Sequence, residues 1–139
     1  MTIKIASLKA DLAKEAAGDW IEYPDWPGVA FNVRSLNSPA YTTARDIMIQ
    51  RFRRKYPRKA PPANEMIEEA GKIYCKHILF GWRGFDVEYT PELALEMLTD
   101  PAYRAIVAAV EWCAGQVAQL DVEFVEDSTP NSERPSAGA

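Results

Sequence analysis

Alternation of apolar and polar residues with a period of two is confined to residues 18–36, and this limits the fold more than any other feature. The run GDWIEYP sets Trp20 and Glu22 against Ile21 and Tyr23, and VAFNVRSLN sets Val29, Phe31 and Val33 against Ala30, Asn32 and Arg34. Between them Pro27 and Gly28 suit the two central positions of a tight turn, so the two runs predict a β-hairpin. The long segments after residue 36 instead space their apolar residues three and four apart, as helices buried along one stripe do. The expectation is an α+β fold, mainly α: an N-terminal β-hairpin packed on a small bundle of four main helices.

Proline and cap residues set the helix boundaries. Residues 5–17 space Ile5, Leu8, Leu12 and Ala16 as a short helix that Gly18 stops. Ser38 before Pro39 predicts a start, because a serine oxygen accepts orphan amide protons and proline has none to satisfy. That helix runs to about Tyr56, burying Tyr41, Ala44, Met48 and Phe52, and Pro57 ends it. KAPPAN is a linker, and Asn64 caps a second helix burying Met66, Ala70, Ile73, Tyr74, His77 and Ile78, with Gly81 as its stop. A short extended DVEY piece follows. Thr90 with Pro91 opens a third helix, and Asp100 with Pro101 opens a fourth that carries the stripe from Tyr103 to Leu120. Trp20, Phe31, Tyr74 and Trp112 are expected to be largely buried.

A single domain over residues 1–126 is expected, with a disordered tail from 127 to 139, where no aliphatic residue is larger than alanine. No apolar run reaches the roughly 18 residues of a membrane span, and the first residues have no continuous apolar block of the signal-peptide kind. Two cysteines, Cys75 and Cys113, are too few for a disulfide scaffold and point to a reducing compartment, with the cytoplasm as the default. Net charge is 16 − 20 = −4, but it is segregated. Arg51, Arg53, Arg54, Lys55, Arg58 and Lys59 stand within nine residues without an acid, whereas residues 86–127 hold ten acids against Arg104 alone.

Chemistry-bearing residues are sparse. The chain has one histidine, His77, and it falls on a buried stripe, as a core histidine does. Cys75 and His77 lie two apart on a helix, about 200° around its axis, so they face opposite sides rather than one metal ion. Glu88 with Glu92, or Asp121 with Glu123, form no pair set for acid–base work, and the scattered glycines build no phosphate loop. No enzyme, cofactor or metal is expected. The basic run suits phosphates, yet Phe52 on the buried stripe is not free to stack, and net acidity disfavours nucleic acid as a partner. A small nucleic-acid-binding regulator using residues 51–59 stands as the alternative function.

The order of elements resembles the tail assembly chaperones of long-tailed bacteriophages and prophages. It is carried by GDWIEYPDWPGVAFNVRSLNSPAY, ILFGWRGF, YTPELALEMLTDP and a long terminal helix with an Asn-Ser-containing tail. The resemblance implies a non-enzymatic protein that binds the long, apolar, helix-forming tape measure protein while tail tube subunits polymerise around it. In that family a longer form arises by frameshifting. The partner-binding residues expected here are Arg51, Arg53, Arg54, Lys55, Arg58 and Lys59, with Trp26, Trp82 and Phe85. The segregated charge is also expected to favour head-to-tail homo-oligomers.

Overall fold

The computed structural model describes residues 1–126; the tail expected from residue 127 lies outside them. In chain order the elements are β1 (Thr2–Ile3), a 3-10 turn (Ile5–Leu8), α1 (Leu12–Ala17), β2 (Asp19–Glu22), β3 (Ala30–Val33), α2 (Pro39–Lys55), α3 (Ala63–His77), β4 (Leu79–Arg83), α4 (Pro91–Leu98), a second 3-10 turn (Pro101–Tyr103), α5 (Arg104–Gln116) and β5 (Phe124–Val125). They fall into two units. One comprises Met1–Ala10 with the chain from Gln119 onward, and the other is Asp11–Ala118.

The terminal unit is a two-stranded antiparallel ribbon in which Thr2 pairs with Val125 and Ile3 with Phe124. Ser7 extends the pairing, its Oγ accepting the Glu123 amide at 2.9 Å while donating to the Lys4 carbonyl at 2.6 Å.

The larger unit is α+β and mainly α, with the N-terminal hairpin packed on helices. Its antiparallel sheet runs β2–β3–β4. Ile21 stands opposite Phe31, and Phe31 opposite Trp82. These residues face inward with Val33 and Leu79, and α5 covers β2 and β3 through Ala109, Val110, Cys113 and Ala114. Phe31, Val33, Ile78, Leu79, Leu98 and Val110 are fully buried, each side chain stabilising the fold by about 2 kcal/mol. α3 packs against both α2 and α4, with Tyr41 stacked on Tyr74 at 5.8 Å.

Several sequence expectations are corrected. The hairpin gains a third strand, Leu79–Arg83, where Gly81 was expected to stop a helix. The strand hides from a period-two search because its register shifts against β3 between Asn32 and Val33: Asn32 pairs with Gly81 and Val33 with Leu79. Phe80 is the extra residue of a β-bulge, which breaks the alternation. DVEY forms no strand, and the Trp82 indole pins it instead, donating to the Val87 carbonyl at 2.9 Å. Residues 5–17 split into a 3-10 turn and α1, and the last helix stops at Gln116.

Capping also divides. Thr90 accepts the Leu93 amide at 3.1 Å, as expected. Asp100 accepts the Ala102 amide at 2.9 Å, but it caps the 3-10 turn Pro101–Tyr103 rather than the last helix, which starts at Arg104 without a side-chain cap. Ser38 occupies its cap position without a capping bond; its Oγ is buried and unpartnered. Asn64 is already inside α3, which starts at Ala63 after Pro62. Phe31 is fully buried and Tyr74 half-buried, but Trp20 and Trp112 are 41% and 42% exposed. Trp112 lies about 200° around the helix from Val110, and Trp20 stands on the sheet face opposite Ile21.

Candidate functional site

Two apolar recesses of the larger unit hold some of the expected partner-binding residues: Arg53 and Lys59 line one, Trp82 and Phe85 the other. The first is a groove of about 240 Å³ between α2 and α3 and the linker joining them, lined by Met48, Ile49, Phe52, Tyr56, Pro61 and Met66 with Arg53 and Lys59. It exists because α2 ends at Lys55 and the chain turns back through Pro57, Pro61 and Pro62, so the apolar stripe of α2 is only partly covered by α3. Phe52 forms its buried part, whereas Ile49 remains exposed, and so does Met66, which corrects its expected place on the buried stripe of α3.

The basic run does not present six free cations. Arg51 pairs with Glu69 at 3.0 Å and Lys55 with Glu65 at 2.6 Å, tying α2 to the first turns of α3. The Tyr56 hydroxyl donates to the same Glu65 at 2.6 Å. These bonds hold the Glu65 carboxyl below its ordinary range, chiefly through the hydrogen bond from Lys55. Glu69 is lowered too, first by its hydrogen bond from Lys72. Among the described residues Arg53, Arg54, Arg58 and Lys59 have no ion pair. Of these, Arg53 and Lys59 line the groove.

The second recess, of about 330 Å³, lies beside the β4–α4 loop and is lined by Trp82, Phe85, Val87, Leu93, Met97 and Ile106, with Asp86 and Tyr103. Here the fold brings together the three expected aromatics. Phe85 meets Trp26 edge-on at 6.3 Å and Trp82 at 5.8 Å. Trp82 is buried, so it acts as a wall of the recess rather than as exposed surface. Sequence spacing gave no sign that Met48, Ile49, Pro61 and Met66 line one groove, because they come from three segments.

Other titratable groups are structural in setting. The His77 side chain is half-buried and makes no hydrogen bond among the described residues, which corrects the expectation of a bonded core histidine. Burial lowers its pKa, and the nearby charges of Lys76 and Arg34 add to that. Burial pushes the Cys113 thiol up to about 11 and raises Cys75. Both cysteines are free. Tyr74 is raised by burial and by its hydrogen bond to Glu111, made at 2.5 Å. Among the described residues no three His, Cys, Asp or Glu side chains group to hold a metal ion, and no helix is long and apolar enough to cross a membrane.

Fold and recesses together define a small α+β protein with apolar recesses and a group of unpaired cations at and after the C-terminal end of α2. The chain belongs to the YdaY prophage protein family, whose sequence profile matches residues 36–128. The match takes in α2 through β5 and omits β2 and β3. No curated protein and no solved structure matches the chain.

Proposed function

We propose that this prophage protein is a tail assembly chaperone that holds an apolar helical segment of the tape measure protein while the tail tube polymerises, without catalysis. The observation that carries the reading is the groove between α2 and α3. A helix docks into a groove by its apolar face, and Met48 and Met66 supply the deformable thioether lining that accepts varied side chains. Arg53 and Lys59 at the groove favour an acidic flank on that helix, fixing its orientation more than its affinity. Prophage origin and the order of sequence elements support the same reading.

Coexpression with the long helical protein encoded nearby tests it. The expected result is higher recovery of that protein and a complex that survives gel filtration, both lost in Met66→Glu. Unchanged recovery with no complex refutes it. If an oligonucleotide is then retained through Arg53 and Arg54, the small nucleic-acid-binding regulator takes its place. One feature weighs against that alternative: Phe52 is buried, so that ring of the basic run is not free to stack.

A further inference from the structure

The outer face of the β2–β3–β4 sheet has a composition that packing does not explain. The face of such a sheet turned away from the core is ordinarily polar. Here Trp20 on β2 and Phe80 on β4 stand on it, 41% and 36% exposed. Two local devices put them there. The bulge opposite Asn32 displaces Phe80 from the inward position that strict alternation would give it, since Leu79 before it and Trp82 after it both point into the core. Gly81 then leaves the space that the Trp20 indole fills: a Cβ at residue 81 would lie 3.3 Å from Trp20 Cη2. Bulges recur where a side chain is re-aimed for use.

Each ring carries a guanidinium. Arg83 Cζ lies 4.7 Å from the Trp20 ring centroid, and Arg34 Cζ lies 4.1 Å from that of Phe80. Neither arginine has an ion pair or a side-chain hydrogen bond among the described residues. Stacking fixes the plane of a guanidinium while leaving its N–H edge free, which prepares it for a planar or oxyanionic ligand. The charges of Lys76 and Arg34 both act on His77 at the end of α3, and Glu22 is the acid that β2 places on this face. The local balance is cationic although the chain carries −4 overall, and beyond a screening length of about 8 Å the distant acids count for little.

We infer that this face binds single-stranded nucleic acid, with bases stacking on the Trp20–Arg83 and Phe80–Arg34 pairs and phosphates on the guanidinium edges. Exposed aromatics on an open sheet face recognise unpaired bases by stacking. An acidic peptide would use the arginines but would give the two re-aimed rings nothing to do. The surface is separate from the α2–α3 groove and stands or falls independently of it.

The test is fluorescence anisotropy of a labelled oligothymidylate against the full chain, with polyglutamate as competitor. Binding is expected at about 50 mM salt, weakening with a log–log slope near −1.4 if two phosphates are met. Trp20→Ala and Arg83→Gln are each expected to weaken it about tenfold or more, whereas Arg104→Ala leaves it unchanged. Far-ultraviolet circular dichroism confirms that each variant folds, and Phe80→Ala serves if Trp20→Ala does not. Absence of binding, equal binding by folded Trp20→Ala, equally strong competition by polyglutamate, or a loss that follows Arg54 and Arg58 instead overturns the inference.

Discussion

Replacing Gly71 by alanine sets helix propensity against packing at the α3–α4 crossing. In an open helix interior the change stabilises by about 1 kcal/mol, because alanine loses less backbone freedom on folding. At Gly71 the added methyl would lie 2.7 Å from the Leu98 carbonyl carbon and 3.0 Å from Thr99 Cγ2, and would also meet the Leu98 oxygen. Carbon atoms in comfortable contact stand about 3.5–4.0 Å apart, so the helices must part by about 1 Å. The obstacle is backbone, and the Leu98 side chain is itself locked in the core at 1% exposure, so the strain cannot be shed by a rotamer change. Overpacking of this kind costs about 1–3 kcal/mol. Taking the upper end, about 3 less the 1 gained, Gly71→Ala is expected to destabilise by about 2 kcal/mol. Gly115 is the control, a helical glycine on α5 with no atom within 4 Å of its would-be Cβ, where the same substitution is expected to stabilise by about 0.5–1 kcal/mol. Urea unfolding followed by circular dichroism reads both signs, with melting shifts of about 3 °C per kcal/mol. A Gly71→Ala variant as stable as the parent, or a Gly115→Ala variant that loses stability, would refute the argument.

The two serine/threonine cap positions give a second contrast: Thr90→Ala is expected to cost about 1 kcal/mol with its bond to the Leu93 amide. Ser38→Ala, removing a buried and unpartnered hydroxyl, is expected to stay within about 0.5 kcal/mol of the parent, and equal losses at both sites would contradict this. Cys113, with its thiol raised to about 11 by burial, is expected to react with Ellman's reagent at pH 8 only as the chain unfolds, while Cys75 reacts first; prompt native labelling of Cys113 would count against its burial. Because the folded pKa of Cys113 is raised, its contribution to stability is present below its ordinary value of 9.0 and is lost as pH rises toward about 11. His77 behaves oppositely, since a folded pKa below 6.5 favours the neutral ring in the native state. Stability linked to it is full above pH 6.5 and falls as pH drops through that value, and a native imidazole proton titrating above 6.5 by NMR would reverse the sign.

What the sequence determined by itself is what local chemistry dictates. The hairpin at Asp19–Val33 followed from alternation about a turn, and α2 from Pro39 to its end before Pro57. The caps at Thr90 and Asp100 followed from side chains whose partners lie two or three residues away. Charge segregation and the free cations on the α2 end were also legible, though not which of them Glu65 and Glu69 would claim. Tertiary structure alone decided the third strand, because a bulge opposite Asn32 erased the alternation that would have announced it. The same bulge decided that Phe80 faces outward, since a side chain's direction depends on register with a strand about 50 residues away. It also decided the two recesses: Met48 and Met66, or Phe85 and Ile106, share a wall only because packed helices bring distant segments together. Such surfaces have no sequence period; they arise where two separately legible elements meet without quite covering each other.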